Sequence, residues 1–561
     1  MRRHPYGRTA LRLLGVATTC LLMLPPGAAG AAPAAPPGTG FPTAALDALL
    51  QDPRLAGARA AVVVRDTDTG AVLYDRGGHD HLTPAQTLMV ATSAAVLERL
   101  GPHHEAQAPY RWHTEVVEIA GSSPGTTDLV LRGYGDPTTT VSDYRDLAEQ
   151  VADAGITTVT GDLVIASGVF GGLFSPDRYG TGWTVDDLGT PSGAPVSQLT
   201  LSPDPDPGAG GGDGRYLTNT VRLTVEPGAD GWSPPTVTVH PESSAVPVDP
   251  RVTTSSETRL LAYRNPGDGT LVVVGWIAPG AEPPVVHLPV PDPHRHAGEV
   301  FAAALADAGV EVAGDLRVDL DMTGYLEPVA EHLSAPITDM ARHLLEHPNV
   351  PHAEAWLRTL GWENTGVGTV EQGLLMVAGA LADLGLTESI PRQVDGSGLS
   401  RDNLVDAHGL TEVLLGTRDR FWYPAWYDAL PKACAADGSG ALAERFCDGP
   451  AAGVTRAVPG ELPGIDGLVG YTTDTDGREL AFAVLLNHVR EPAAAREVVD
   501  AVVTTLAGGG AAPPKPGPGK PGKPGGPGKP GVPGGPRDTE AVASTPTVRV
   551  TADRPVRRGT R

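Results

Sequence analysis

Lysine is almost absent from the body of this 561-residue chain. Between a candidate leader at residues 1–31 and a Gly/Pro-rich tail at residues 507–561, the only lysine is Lys432. The other four lie in the tail, at Lys515, Lys520, Lys523 and Lys529. No Ser-x-x-Lys pair therefore occurs in the body, which excludes a serine activated by a lysine one helical turn away.

Cysteine is also scarce. Of the three cysteines, Cys20 falls in the leader, which leaves Cys434 and Cys447. Two thiolates alone are too few ligands for a zinc site. In an exported protein we expect a disulfide between them, contributing ~3 kcal/mol by restricting the unfolded chain.

Long apolar runs are missing after the leader. Residues 1–31 are predicted to be a signal peptide, because four arginines precede a short apolar stretch, Leu13 to Leu24, and small residues follow it. That stretch is too short to span a bilayer as a stable helix. We expect a secreted protein, extracellular or associated with the cell wall, with no transmembrane segment.

The net charge of −24 is distributed unevenly. The leader contributes four positive charges and the tail a net seven, so the body between them carries about −35. Such a body is not expected to bind nucleic acid. The tail could instead rest on an anionic surface. Its glycines at every third position from Gly519 to Gly534 have the register of collagen, but six triplets favour a polyproline-like spacer.

Hydrophobic patterning predicts an α+β fold. Strand-like runs at both ends of the body suggest one sheet assembled from both ends, with a large, mostly β region inserted between them. The predicted segments are a signal peptide (1–31), a flexible linker (32–43), a first part of the main domain (44–110), the inserted region (111–333), a second part (334–506) and a cationic tail (507–561).

Several short motifs follow one another in a specific order. They are Leu82-Thr83-Pro84-Ala85, Gly133-Tyr134-Gly135-Asp136-Pro137-Thr138, Val159-Thr160-Gly161-Asp162-Leu163, Ala194-Pro195-Val196-Ser197-Gln198-Leu199, Asp395-Gly396-Ser397-Gly398-Leu399-Ser400-Arg401-Asp402-Asn403 and Gly467-Leu468-Val469-Gly470-Tyr471. In this order the chain resembles the low-molecular-mass class C penicillin-binding proteins, D-alanyl-D-alanine carboxypeptidases and endopeptidases of peptidoglycan. The resemblance implies a β-lactamase/transpeptidase-like domain with a large insertion, and no cofactor.

The chemistry of that family needs three motifs, and none is intact here. The Ser-x-x-Lys positions fall on Gln86 and Met89, neither of which can form an acyl ester or accept a proton. Thr87 is one position off the nucleophile. The Ser-x-Asn motif, placed by the Ala-Glu pair at residues 353–354, falls on Pro348 and Val350, with Asn349 at its middle position.

The Lys-Thr-Gly motif, which holds the substrate carboxylate in the family, falls on Val458, Pro459 and Gly460. Only Gly460 matches. Proline also removes a backbone N–H from the strand that would pair with an extended peptide. The two lysine positions of these motifs hold methionine and valine rather than arginine. Exchange of one basic residue for another therefore does not explain the losses.

Other polar residues have both a functional and an ordinary structural interpretation. Asp395, Ser397, Ser400 and Asn403 are candidate binding residues of a remaining cleft wall, and turn-forming side chains are the alternative. Met89 is expected in the core. His294 and His296, with His79 and His81, lack the spacing of a metal site, so a solvated loop is predicted and no metal.

These observations favour a catalytically inactive homologue, a pseudoenzyme, that binds peptidoglycan or a cell-wall enzyme. One alternative is an active serine-type D-Ala-D-Ala carboxypeptidase/endopeptidase with a nucleophile not recognised above. Another is a purely structural secreted protein without affinity for the wall.

Overall fold

The computed structural model describes residues 41–171, 178–204, 216–230, 232–319, 326–386, 390–508 and the backbone of 548–550. The predicted signal peptide, residues 32–40 of the predicted linker and the rest of the predicted tail after residue 508 lie outside the described residues.

The described residues form ten α-helices and nineteen strands. The helices are α1 Thr43–Leu49, α2 Met89–Leu100, α3 Val141–Asp153, α4 Pro293–Asp307, α5 Ile337–Leu345, α6 Val350–Thr365, α7 Val370–Asp383, α8 Ala407–Thr417, α9 Tyr423–Ala429 and α10 Pro492–Ala507. The strands are β1 Arg59–Asp66, β2 Val72–Arg76, β3 His113–Ala120, β4 Thr127–Gly133, β5 Thr158–Val159, β6 Leu163–Ala166, β7 Thr220–Glu226, β8 Thr236–His240, β9 Val248–Thr254, β10 Arg259–Arg264, β11 Leu271–Ile277, β12 Val285–Pro289, β13 Glu311–Val312, β14 Leu316–Asp319, β15 Pro328–Leu333, β16 Arg456–Leu462, β17 Ile465–Thr473, β18 Glu479–Asn487 and β19 Val548–Val550.

A five-stranded antiparallel sheet in the order β16-β17-β18-β1-β2 forms the centre of the main domain. Strand β1 pairs with β18 from Arg59 opposite Asn487 to Asp66 opposite Leu480, so both ends of the body build one sheet, as the sequence predicted. Alternate residues of β1 enter different cores. Val63 packs with α2 and α5 to α8, whereas Val62 packs with α1 and α10.

The inserted region contains two further layered units. In the first, α3 and α4 pack on a five-stranded sheet in the order β14-β6-β4-β3-β15. The second has two sheets, β12-β7-β8 and β19-β10-β11-β9, around a core that includes Leu223, Val273 and Leu288. The prediction of a mixed α+β fold is therefore confirmed. Over the described ranges, no helix has both the length and the apolar character that a bilayer crossing requires.

Candidate functional site

Three distant segments meet at a groove of about 340 Å³ beside the edge strand β16. Gln86 comes from a 3₁₀ turn before α2, Pro348 from the residues before α6, and Pro459 from β16. The other lining residues are Ser192, Val350, Ala441, Arg445, Glu461 and Arg496. The fold therefore brings the three vacated motifs together, with side chains that differ from those the family's chemistry uses.

Gln86 reaches the groove from a strained turn. Ala85 before it has a φ of +49°, a conformation that costs free energy for a residue with a Cβ. The turn packs closely against Gly398, where an added Cβ would lie 1.8 Å from the Ala85 carbonyl oxygen. Gln86 Oε1 then accepts a hydrogen bond from the backbone N–H of Glu461 at 2.8 Å. The side chain at the nucleophile position is thus tied to the facing strand.

The neighbours of Gln86 point away from the groove. The 3₁₀ turn Ala85–Leu88 precedes α2, which begins at Met89. Met89 is fully buried in the core. The hydroxyl of Thr87 is also buried and donates to the carbonyl of Pro84 at 2.7 Å. Neither side chain can act on a ligand in the groove.

The free edge of β16 has no available backbone donor along the groove. Outward N–H groups alternate along a strand, here at residues 457, 459 and 461. The N–H of Ala457 donates to the Pro431 carbonyl at 2.9 Å, and that of Glu461 donates to Gln86. Pro459 lies between them and has no N–H. An extended peptide added to this edge would therefore find no donor at these three positions.

Asn349 does not replace the missing polar residues of the second motif. It is the N-cap of α6, and its Oδ1 accepts from the His352 backbone N–H at 3.3 Å. Its Nδ2 donates to the Tyr216 carbonyl at 2.9 Å. The side chain lines a neighbouring cavity of about 270 Å³ rather than the groove. Its role is therefore to position the helix.

Ser192 is the only serine among the described residues that line the groove. It lies on the 3₁₀ turn Pro191–Gly193 and is exposed. That lining contains no lysine or histidine, and Lys432 is solvent-exposed outside it. Its one carboxylate, Glu461, is paired with Arg496. Ser192 also lines the neighbouring cavity of about 270 Å³, whose lining includes His343, Glu346 and His347. Among the described residues no hydrogen bond joins the Ser192 hydroxyl to any of these three side chains, so no base is in contact with it to activate it as a nucleophile.

Ion pairs fix the charged end of the groove. Arg496 on α10 pairs with Glu461 and lies 3.6 Å from the Asp466 carboxylate on β17. Burial, and then the neighbouring Glu461 carboxylate, raise the pKa of Asp466 to about 7. Arg445 pairs with Asp500. Both arginines are therefore neutralised by the protein, and the groove offers no unpaired counterpart for the lost lysine.

The candidate binding residues in the segment 395–403 are interior turn residues, which corrects the binding hypothesis. Asp395, Ser397, Ser400 and Asn403 are all fully buried. Asp395 accepts hydrogen bonds from the Ser400 backbone N–H and from Asn403 Nδ2, both at 2.7 Å. Because these groups satisfy one another inside the turn, they offer no surface to a ligand.

The expectation of a solvated histidine loop is wrong for His294 and His296. Both lie in the first turns of α4 and are buried, because this helix packs onto the sheet of the inserted region. Burial lowers the pKa of each to about 4. His79 and His81 are exposed. The described part of the chain contains no group of three His, Cys, Asp or Glu side chains placed to hold a metal.

Cys434 and Cys447 form a disulfide, and the loop that it closes supplies one wall of the groove. Ala441 and Arg445 of this loop line the groove. The loop is held on the end of α5, because the Ala441 backbone N–H donates to the Glu346 carbonyl at 2.7 Å. The disulfide therefore stabilises a segment that shapes the site.

The architecture is that of a class C penicillin-binding protein. The crystal structure of penicillin binding protein 4 (dacB) from Haemophilus influenzae matches with a TM-score of 0.66 at 22% identity, covering 80% of this chain and 94% of that one. At this identity the match shows the fold: a transpeptidase-like domain with an insertion.

Sequence relatives define the family. A model of the D-Ala-D-Ala carboxypeptidase 3 (S13) family matches residues 42–508. The D-alanyl-D-alanine carboxypeptidase of an Actinomadura species is 34% identical over 520 residues, covering 90% of this chain and 92% of that protein. Carboxypeptidase DacB of Mycolicibacterium smegmatis is 27% identical over 459 residues, covering 79% of each. The chain belongs to the D-Ala-D-Ala carboxypeptidase 3 (S13) family.

Sequence reasoning missed five groove residues: Ser192, Ala441, Arg445, Glu461 and Arg496. A signal existed for Glu461, because it lies two positions beyond Pro459 and therefore on the same strand edge. The others come from a surface turn, the disulfide loop and α10, and nothing in their local sequence indicates the groove.

Proposed function

We propose that this protein is a secreted, catalytically inactive member of the family that acts as a cell-wall or partner binding protein. The groove keeps its place in the fold, but glutamine occupies the nucleophile position and methionine that of the activating lysine. Valine and proline occupy the first two positions of the third motif. None of these four side chains can form an acyl ester or activate a nucleophile.

The hydrogen bond between the Glu461 N–H and Gln86 Oε1 is the observation that carries the proposal. It fills the nucleophile position with an amide and uses a backbone donor on the facing strand. A preorganised backbone donor of this kind is what an acyl-transfer site directs at a developing oxyanion. Acyl transfer at this position therefore lacks both a nucleophile and a free backbone donor for the oxyanion.

A covalent labelling experiment tests the loss of catalysis. The pure protein is incubated with a fluorescent penicillin and its intact mass is measured, with the Actinomadura relative as a positive control. We expect no adduct and no release of D-alanine from a stem-peptide mimic. Stoichiometric acylation would contradict the proposal, and peptide mapping would then show whether Ser192 carries the label.

Wall binding is tested separately by sedimentation with purified peptidoglycan. We expect the full chain to co-sediment in low salt. Replacing the four tail lysines with glutamine should weaken binding and reduce its salt dependence if the cationic tail contributes through an anionic surface. A chain that stays in the supernatant under all conditions would favour a purely structural protein or binding to a partner other than the wall.

A further inference from the structure

The last strand of the chain, β19, pairs with the inserted region through its backbone. It runs antiparallel to β10, with Val550 opposite Leu260 and Val548 opposite Ala262. The resulting sheet has the order β19-β10-β11-β9. Three of its strands come from the inserted region, and the fourth comes from the C-terminal tail. The tail therefore returns to the body more than 250 residues after β10 in the sequence.

The local sequence of the tail favours a strand at this point. Residues 547–551 are Thr-Val-Arg-Val-Thr, so four of the five are β-branched. Glycine and proline, by contrast, dominate residues 508–536. β-Branched side chains are enriched in strands, whereas glycine weakens a strand and proline removes a backbone donor from it. The strand thus lies where the composition of the tail changes.

Without β19, strand β10 would lie at the edge of this sheet and would be open to pairing. The residues between Arg259 and Arg264 are Leu-Leu-Ala-Tyr, and their pairing with β11 is regular. Leu260 and Ala262 are buried in the core of the unit. Natural proteins protect exposed edges with charged residues, prolines or bulges. A regular, apolar edge such as this one is a template for a further strand.

The opposite edge of the same sheet carries the protection that β10 lacks. Strand β9 has Pro250 in its interior, flanked by Asp249 and Arg251. Proline occurs in edge strands where its missing N–H faces away from the neighbouring strand, so it has no donor for an added one. Charged neighbours oppose strand addition further. The sequence therefore blocks pairing at β9 and leaves it open at β10.

We propose that the β10 edge is a peptide-binding site that works by strand addition, and that its occupant is the C-terminal strand of the same chain. Main-chain hydrogen bonds supply the affinity for an extended segment in this mode of recognition. Residues 509–547 connect the body to β19 and reach about 130 Å when fully extended, enough to return to the same molecule. A tethered strand has an effective concentration on the order of millimolar, which favours it over a second copy at micromolar protein.

This pairing divides the tail into two parts. The four tail lysines all lie in the part that is joined to the body at both ends, between Gly508 and β19. Arg554, Arg557, Arg558 and Arg561 follow β19 and stay within about 40 Å of it by chain length alone. The positive charge of the tail is therefore kept close to the acidic body. The inference depends neither on the loss of catalysis nor on wall binding.

Disulfide cross-linking tests the pairing in the full chain. Leu261 lies opposite Arg549, and directly opposite residues of antiparallel strands have Cα atoms about 4.5–5.5 Å apart, which suits a disulfide. We expect Leu261→Cys with Arg549→Cys to form an intramolecular disulfide on mild oxidation, detected by peptide mapping. Leu261→Cys with Val548→Cys is the matched control. It is one residue out of register and should cross-link about tenfold more slowly or not at all.

A competition experiment tests whether the edge binds a peptide. The probe is a fluorescent peptide of residues 545–553, added to full-length protein. In the variant Val548→Pro with Arg549→Pro the edge is vacated, because adjacent residues of a strand direct their N–H groups to opposite sides and one proline must remove a donor facing β10. We expect saturable binding to this variant and about tenfold or more weaker binding to the parent, whose own strand competes.

Val548→Thr with Arg549→Thr is the control for the proline variant. It removes the same side chains and keeps both N–H groups, so it should exclude the peptide as the parent does. Circular dichroism of each variant verifies folding. The inference would be overturned by no peptide binding to the proline variant up to millimolar concentration, or by equal binding to variant and parent. Cross-linking only between two molecules, or none at all, would also overturn it.

Discussion

The Oε1 atom of Gln86 lies 2.8 Å from the backbone nitrogen of Glu461, although the two residues are 375 positions apart. This contact joins the vacated nucleophile position to the strand that holds the vacated Lys-Thr-Gly motif. The Ala457 N–H donates to the Pro431 carbonyl, and Pro459 has no N–H. With the Gln86 contact, none of the three outward backbone positions of β16 therefore keeps a free donor.

Restoring the hydroxyl alone is not expected to restore activity. Gln86→Ser places a serine at the nucleophile position but leaves Met89 buried and no amine in the groove, so its hydroxyl stays unactivated. We expect no covalent penicillin adduct by mass spectrometry and no D-alanine release. An acylated Gln86→Ser protein would show that another group of this groove can serve as the base.

Restoring the lysine is expected to destabilise the protein. Met89 is fully buried among apolar side chains, so Met89→Lys places an amine where its charged form is strongly disfavoured. We expect the free energy of unfolding to fall by about 4 kcal/mol or more in urea denaturation. Met89→Leu, the volume-conserving control, should cost less than about 1.5 kcal/mol. Equal stability of the two variants would contradict the placement of residue 89 in an apolar core.

Asp466 should make stability fall as the pH rises. Its pKa is about 7 in the folded protein, because of burial and the Glu461 carboxylate, and about 3.9 in an unfolded chain. The folded state therefore keeps a proton that the unfolded state loses, and stability declines between about pH 4 and pH 7. In Asp466→Asn this decline should shrink by up to about 2.5 kcal/mol between pH 5 and pH 8. Parallel unfolding profiles for the parent and the variant would contradict the assignment.

The disulfide should contribute to global stability. The Cys434–Cys447 bridge closes a loop with a sequence separation of 13, so removing it frees the unfolded chain. We expect Cys434→Ser with Cys447→Ser to lower the free energy of unfolding by about 3 kcal/mol. Chemical reduction of the parent protein should reproduce this loss. No change in either experiment would mean that the loop is held by its contacts with α5 alone.

Local sequence patterns were sufficient for much of the fold but not for every element. Strands β1 and β18 and helices α3 and α7 follow from apolar periodicity. Helix α8 does not follow from local sequence, because its two glycines, Gly409 and Gly416, lower helix propensity. It forms nevertheless, since Leu410, Val413 and Leu414 are buried against α2 and the central sheet. Tertiary burial outweighed propensity here.

The sequence by itself determined the family, the sheet built from both chain ends, and the identities of the residues at the vacated motif positions. These follow from covalent order, from periodicity and from residue chemistry, none of which needs coordinates. Only the tertiary structure decided that Gln86 bonds the Glu461 N–H, that Asp395 is interior, that the groove lining holds no lysine or histidine, and that His296 is buried. Hydrogen-bond partners and burial depend on packing between segments hundreds of residues apart, which no local pattern encodes.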